Sequence, residues 1–174
     1  MKRIDERESR FVNRASNQLA TNMKDRNPGS TFEDLEVYQA ARNFRKMMYE
    51  IARRLPDIEK FGLASQIRRA ALSLTNNIAE GHGRYHYLDQ IKFTLQSRGS
   101  FEELIDDLNA CEDEQYLHEK EIASLKQESW RVRQLIDGYI RYLRQQKNSE
   151  VGASSVQETS RIYDENADDS RVSI

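Results

Sequence analysis

The residues best suited to chemistry in this chain lie between positions 73 and 84, which read Ser-Leu-Thr-Asn-Asn-Ile-Ala-Glu-Gly-His-Gly-Arg. His82 and His86 are four residues apart and Glu80 lies nearby, a set that could bind a metal ion from one helical face. The glycines on either side of His82 disfavour a regular helix there. Neither a cysteine nor a second acidic pair completes such a site. We therefore expect no metal and no cofactor, and we interpret the histidines as loop or surface residues.

Two other groups contain residue types that occur in catalytic sites, but their positions on helix faces favour a structural role. Cys111, the single cysteine, falls on an apolar helical stripe, which favours a buried structural thiol over a nucleophile. Glu102, Glu103, Asp106 and Asp107 are spaced to lie along one side of a helix, which is typical of a solvated face. The sequence contains no phosphate-binding glycine loop, nucleophile elbow or paired-cysteine zinc motif. We expect a protein without catalytic residues that is not an enzyme.

Arginines offer a second kind of chemistry, the binding of nucleic-acid phosphates. Tyr85 and Tyr87 add aromatic rings that could stack on bases. The alternative is that the arginines form ion pairs between helices or on the surface, each worth about 0–1 kcal/mol. The formal net charge of −2 leaves both interpretations open. The candidates for phosphate binding are Arg53, Arg54, Arg68, Arg69, Arg84, Arg131, Arg133, Arg141 and Arg144.

The composition indicates one helical domain outside the membrane. A chain of 174 residues with only 7 Gly and 2 Pro is unlike a sheet protein rich in tight turns. The lone cysteine fits a reducing compartment. No apolar run reaches the ~20 residues of a membrane-spanning helix, and the first residues lack the apolar stretch of a signal peptide. We expect a cytoplasmic protein with no membrane contact.

Four amphipathic patterns within residues 31–148 predict an all-α fold, an antiparallel up-and-down four-helix bundle. A polar, mildly basic and flexible arm is predicted over residues 1–30. An acidic tail, predicted to be disordered, occupies residues 149–174 because it has few apolar residues to bury. The predicted helices run from a cap at Ser30 or Thr31 to Leu55, from Leu63 to about Ile78, from about Tyr87 to Glu114, and from about Glu119 to Lys147.

The third predicted helix has a small-residue pair, Gly99-Ser100, in its middle. Ser100 and Glu103 have the spacing of a capping box, which would divide the segment into two helices. The alternative is one unbroken helix with a notch where a partner packs closely. The apolar stripe keeps its phase through the pair, which favours the unbroken helix.

Several segments of the chain together resemble a known family. The most specific is Asn-Ile-Ala-Glu-Gly at 77–81. Over about residues 32–147 the chain resembles the bacterial four-helix-bundle proteins encoded within intervening sequences of large-subunit ribosomal RNA genes. These are similar to the accessory variability protein of diversity-generating retroelements, a pentameric barrel that binds nucleic acid and a reverse transcriptase. The segments that carry the likeness are 32–38, 55–56, 63–71, 73–81 and 99–104.

The resemblance implies a non-enzymatic homo-oligomer, such as a pentamer, that binds RNA or a ribonucleoprotein partner as an accessory protein. The alternative is a protein-interaction scaffold, for example for a reverse transcriptase, without direct contact to nucleic acid. The chain departs from the retroelement protein in charge, because that protein is strongly basic and the sequence pI here is about 6.0.

Six residues match the signature of the family, and we interpret all of them as structural. Asn77 and Glu80 are expected to bond backbone groups at a helix end, and Gly81 to adopt the left-handed conformation there. Gly99 and Ser100 are expected to let the second and third helices approach closely. The full set is Gln66, Asn77, Glu80, Gly81, Gly99 and Ser100.

Overall fold

The computed structural model describes the backbone of residues 31–169 and the side chains of residues 31–150. The described chain is entirely helical, without strands, and forms the antiparallel four-helix bundle that the sequence predicts. The predicted arm at 1–30 and the last residues, 170–174, lie outside the described residues. The helices are α1 (Glu36–Arg54), α2 (Leu63–His82), α3 (Tyr87–Asp113) and α4 (Glu119–Asp169), with single 3-10 turns at Phe32–Asp34 and Asp57–Glu59.

Helix α1 begins later than predicted, because the expected cap serves a separate turn. The Thr31 hydroxyl accepts a hydrogen bond from the Glu33 backbone N–H, and Asp34 Oδ2 accepts one from the Thr31 N–H at 2.8 Å. This capping box closes a 3-10 turn, and the extended Leu35 separates it from α1. The end of α1 agrees with the sequence, since Leu55 is extended as a residue before proline must be.

The core lies along the axis of the bundle and draws on all four helices. Phe44 of α1, Leu74 of α2, Leu104 of α3 and Ile136 of α4 are each almost fully buried. Helix α4 contributes a seam of buried apolar side chains with one polar position: Ser129 is buried, and its hydroxyl donates to the Lys126 carbonyl at 2.7 Å.

Helices α2 and α3 pack closely near the end of α2. A Cβ atom on Gly81 would lie 3.0 Å from Phe93 Cβ and 3.3 Å from the Gln90 carbonyl oxygen. Further along the pair, the Ser97 hydroxyl donates to the Leu74 carbonyl at 2.7 Å, and the Ser100 hydroxyl donates to Ser73 Oγ at 2.8 Å. The contact therefore depends on one glycine and two serines that occupy little space.

The predicted roles of the two signature glycines are wrong. Gly81 is helical rather than left-handed, since no glycine among the described residues has a positive φ, and it is needed for space instead. Gly99 is exposed, and a Cβ there would meet nothing within 4 Å, so it does not bring α2 and α3 together. Helix α3 runs unbroken through Gly99 and Ser100, which confirms the favoured alternative.

Asn77 and Glu80 also act differently from the prediction that they bond freed backbone at a helix end. Asn77 Nδ2 donates to the Ser73 carbonyl at 2.9 Å, four residues back within the helix. Glu80 forms an ion pair with Arg84 on the surface. Helix α2 continues through Gly81 to His82, and the Gly83 N–H donates to the Ala79 and Glu80 carbonyls.

The backbone of residues 149–169 is helical and continues α4, where the sequence predicts a disordered tail. The helical backbone therefore passes the predicted boundary at 148. A helix satisfies its backbone hydrogen bonds within its own segment, so a polar sequence can also be helical.

Gly81→Ala should destabilise the bundle although alanine is the better helix former. The new methyl group would press on Phe93 and the Gln90 carbonyl, and overpacking of this kind costs about 1–3 kcal/mol. Gly83→Ala is the matched control, since a Cβ there would be 3.5 Å from its nearest neighbour. Urea unfolding of both variants checks this, and equal stabilities would contradict it.

Candidate nucleic-acid interface

Charge is segregated across the bundle although the whole chain is nearly neutral. Helix α1 carries five Arg or Lys residues against two Glu, and α3 carries two against seven Asp or Glu. Each of these helices packs against α2 and α4, so α1 and α3 are diagonal to each other. The bundle therefore has a basic side and an acidic side.

A groove between α1 and α2 lies on the basic side. It encloses about 360 Å³ and is open to solvent along its length. Tyr49 and Leu72 supply apolar surface to its lining, and Leu72 is 43% exposed. We call it the α1–α2 groove, and its lining residues are Arg45, Lys46, Tyr49, Glu50, Arg53 and Leu72.

One cation of the groove is fixed in position by the opposite helix. Arg45 Nη1 donates to Thr75 Oγ1 at 2.8 Å across the two helices, and Thr75 is almost fully buried. The Thr75 hydroxyl in turn donates to the Leu72 carbonyl at 3.1 Å. The remaining guanidinium donors of Arg45 can bond a ligand without ordering a flexible side chain first.

Two further arginines flank the groove. Arg42 is one turn before Lys46 on α1, and Arg69 is three residues before Leu72 on α2, where it donates to Gln66. Both are exposed. The groove and its flanks thus hold five cations against one carboxylate, Glu50, which pairs with Arg53.

Three of the predicted phosphate-binding arginines instead link helices of the bundle. Arg54 of α1 donates to Glu121 of α4 at 2.9 Å, a bond that lowers the pKa of the Glu121 carboxyl. Arg131 of α4 donates to Glu36 of α1, also at 2.9 Å. Arg133 of α4 pairs with Asp137 and with Glu102 of α3.

The other candidates are distributed over the surface. Arg68 donates to the Lys60 carbonyl at 3.0 Å at the end of the bundle where the α1–α2 loop lies. Arg84 lies 4.8 Å from the centre of the Phe93 ring, near the exposed Tyr85 and the half-buried Tyr87. Arg141 and Arg144 are exposed on α4. Of the nine, only Arg53 and Arg69 lie at the α1–α2 groove.

Comparison with known proteins assigns the chain to a family. The family model described as 23S rRNA-intervening sequence protein matches residues 33–138, from the turn before α1 to well within α4. The chain belongs to this family. No curated protein sequence matches it significantly. None of the helices in the described part combines the length and apolarity that crossing a membrane requires.

The α1–α2 groove and its flanks include Arg42, Lys46 and Tyr49, which are not among the residues predicted from the sequence. Together with the predicted Arg53 they follow one another on α1 at steps of four, three and four, on the side of the helix away from the buried Phe44. This regular spacing is a sequence signal from which the basic stripe can be predicted.

The acidic side of the bundle differs from the solvated face that the sequence predicts. Asp107 is partly buried, and its Oδ2 atom has no hydrogen-bond partner. Burial, together with the negative charges of Glu103 and Asp106, raises the pKa of Asp107 to about 6. One turn on, Cys111 is buried as predicted, and burial raises the pKa of its thiol to about 11.

A metal site is not formed by the residues that the sequence singled out. His82 is the last residue of α2, and His86 is the residue before α3 begins. Within the described part of the chain, no group of three or more His, Cys, Asp or Glu side chains could hold a metal ion.

Asp107→Asn should stabilise the protein near pH 8 by about 1–2 kcal/mol, a value discounted because the carboxyl is only partly buried. The pKa of Asp107 is higher in the folded than in the unfolded chain, so the folded state binds more protons between about pH 4 and pH 6. The stability that wild type has at low pH is therefore lost as the pH rises through that window. The advantage of the variant should vanish near pH 4.

Urea unfolding at several pH values measures this difference. Asp113→Asn, an exposed site on the same helix whose charge is not among those that raise the pKa of Asp107, is the control and should change stability by less than about 0.5 kcal/mol. A wild type as stable as Asp107→Asn at pH 8 would contradict the burial of an unpaired charge.

Proposed function

We propose that this member of the 23S rRNA-intervening sequence family is a non-enzymatic, homo-oligomeric RNA-binding protein whose α1–α2 groove holds the RNA backbone. The observation that carries the proposal is that three cations line one groove and two more flank it, in a chain of formal net charge −2. A ribonucleoprotein partner would be bound through the same RNA contact. The bundle acts as an accessory protein and supplies no catalytic group.

The residues of the groove are of the types that bind a nucleic-acid strand. Phosphate contacts from Arg and Lys supply most of the non-specific affinity for nucleic acid. Tyr49, which lines the groove, offers an aromatic ring for a base to stack on, worth about 1–3 kcal/mol per base. The ion pairs of Arg54, Arg131 and Arg133 with other helices make those arginines weaker candidates, because phosphate would have to compete with a carboxylate already in place.

Homo-oligomerisation is supported by apolar side chains that the isolated chain exposes to water. Leu88 and Leu95 of α3 are 59% and 41% exposed, and Trp130 of α4 is 60% exposed. Such surface is commonly covered in an assembly. A pentamer, implied by the resemblance, and a cytoplasmic location belong to the same proposal.

Neutralising the groove should weaken RNA binding more than neutralising arginines elsewhere. In the triple variant Arg42→Gln, Lys46→Gln, Arg53→Gln, affinity for a labelled single-stranded RNA should fall roughly tenfold or more. The slope of log affinity against log salt should become shallower by about 0.7 for each phosphate contact removed. Fluorescence anisotropy across a salt series measures both quantities.

The matched control removes the same charge from α4, as Arg131→Gln, Arg141→Gln, Arg144→Gln, and should retain most of the affinity. Equal losses in the two triple variants would contradict the groove as the site. Absence of affinity in the wild type at low salt would contradict RNA binding altogether, and would favour the scaffold that contacts only protein.

A further inference from the structure

Helix α3 has an outer face that the rest of the described chain leaves uncovered. Its residues recur at steps of three and four along the helix, and each of them is exposed. Two are leucines, Leu88 and Leu95. We call this surface the α3 outer face, and its members are Leu88, Lys92, Leu95, Gly99, Glu103 and Asp106.

The glycine at the centre of this face has no explanation within the chain. Glycine in the middle of an exposed helix costs about 0.5–1 kcal/mol relative to alanine. A Cβ on Gly99 would meet nothing within 4 Å, so alanine would fit the isolated bundle without strain. What a glycine does provide is a place where an outside helix can approach the α3 backbone closely.

The order of charges along the face indicates which kind of helix is complementary to it. Before Gly99 the face carries leucines and one cation, Lys92, and after it the face carries the carboxylates Glu103 and Asp106. Lys92 and Asp106 are each seven residues from Gly99, on opposite sides of it. The face is therefore complementary in charge to itself when reversed, which is what a two-fold contact requires.

We propose that the α3 outer face binds the same face of a second copy of this chain, antiparallel, about a two-fold axis at Gly99. Lys92 then lies beside Asp106 of the second copy, and each such pair occurs twice. Leu95 packs over the aliphatic stem of Glu103 of the second copy, and Leu88 packs near its Ala110. A parallel contact would instead place lysine on lysine and carboxylate on carboxylate.

This inference rests on the homo-oligomer of the proposed function and names the surface that forms it. A two-fold contact closes at two copies, whereas a ring of five needs a head-to-tail contact between different surfaces. The α3 contact is therefore additional to any ring contact. Because α3 is diagonal to α1, it leaves the α1–α2 groove open to RNA in both copies.

Charge reversal tests the contact directly in the full chain. Lys92→Glu should weaken self-association at least tenfold, and the double variant Lys92→Glu, Asp106→Lys should restore it, because the pair is reversed rather than removed. Sedimentation velocity over a concentration series measures the association. Lys120→Glu, a charge reversal at an exposed site on α4, is the control and should leave association unchanged.

A second variant separates the contact from folding. Gly99→Gln adds a side chain into open solvent in the isolated bundle, so the thermal unfolding midpoint at low protein concentration should not fall, while self-association should weaken. Assembly that is unaffected by both Gly99→Gln and Lys92→Glu would overturn this contact but leave the proposed homo-oligomer standing. A wild type that is monomeric at every concentration would overturn both, and the RNA assay would still decide the groove separately.

Discussion

The close approach of α2 to α3 is the constraint on which the rest of this structure depends. Gly81 allows the backbones to meet near Phe93, and Ser97 and Ser100 bond to α2 across the interface. Because α2 is held so closely on this side, its opposite edge has a defined position relative to α1. The buried Thr75 then presents its hydroxyl to Arg45, and the α1–α2 groove gains one cation with a fixed orientation.

Segregated charge explains how a nearly neutral chain can bind a polyanion. Screening limits electrostatic attraction to about 8 Å at physiological ionic strength, so an approaching strand responds to the nearest charges rather than to the net charge. The cations of α1 and the carboxylates of α3 lie on diagonal helices. RNA would be attracted to one side of the bundle and repelled from the other. Self-association through α3 would bury part of the repelling side and give two grooves to one RNA, which raises the apparent affinity.

The fold could be predicted from the sequence because its determinants are local and periodic. The apolar seam of α4, the unbroken α3 and the end of α1 before Pro56 all follow from spacing and proline chemistry. The roles of Gly81 and Gly99 could not be predicted. A glycine in a helix pattern signals either a special φ or a lack of space, and only the neighbouring helix decides which.

The candidate site was predicted less well, for a related reason. Whether an arginine is available for phosphate depends on carboxylates that are distant in sequence. Arg54 meets Glu121, and Arg131 meets Glu36, only when α1 and α4 pack together. The hydrogen bond from Arg45 to Thr75 likewise forms only when α1 and α2 pack together, so the sequence alone does not distinguish Arg45 from other surface arginines. The basic stripe of α1 can be predicted from its spacing. Which of its cations lie away from carboxylates of other helices can be determined only from the packing of the helices.

Photo-cross-linking of the wild-type protein to RNA, followed by mass spectrometry of the cross-linked peptides, tests the central claim most directly. If the α1–α2 groove holds the RNA backbone, the cross-links should concentrate on the α1 peptide that contains Lys46 and Tyr49, with α2 near Leu72 next. Cross-links confined to α4 or to the acidic α3, with none on α1, would contradict the account.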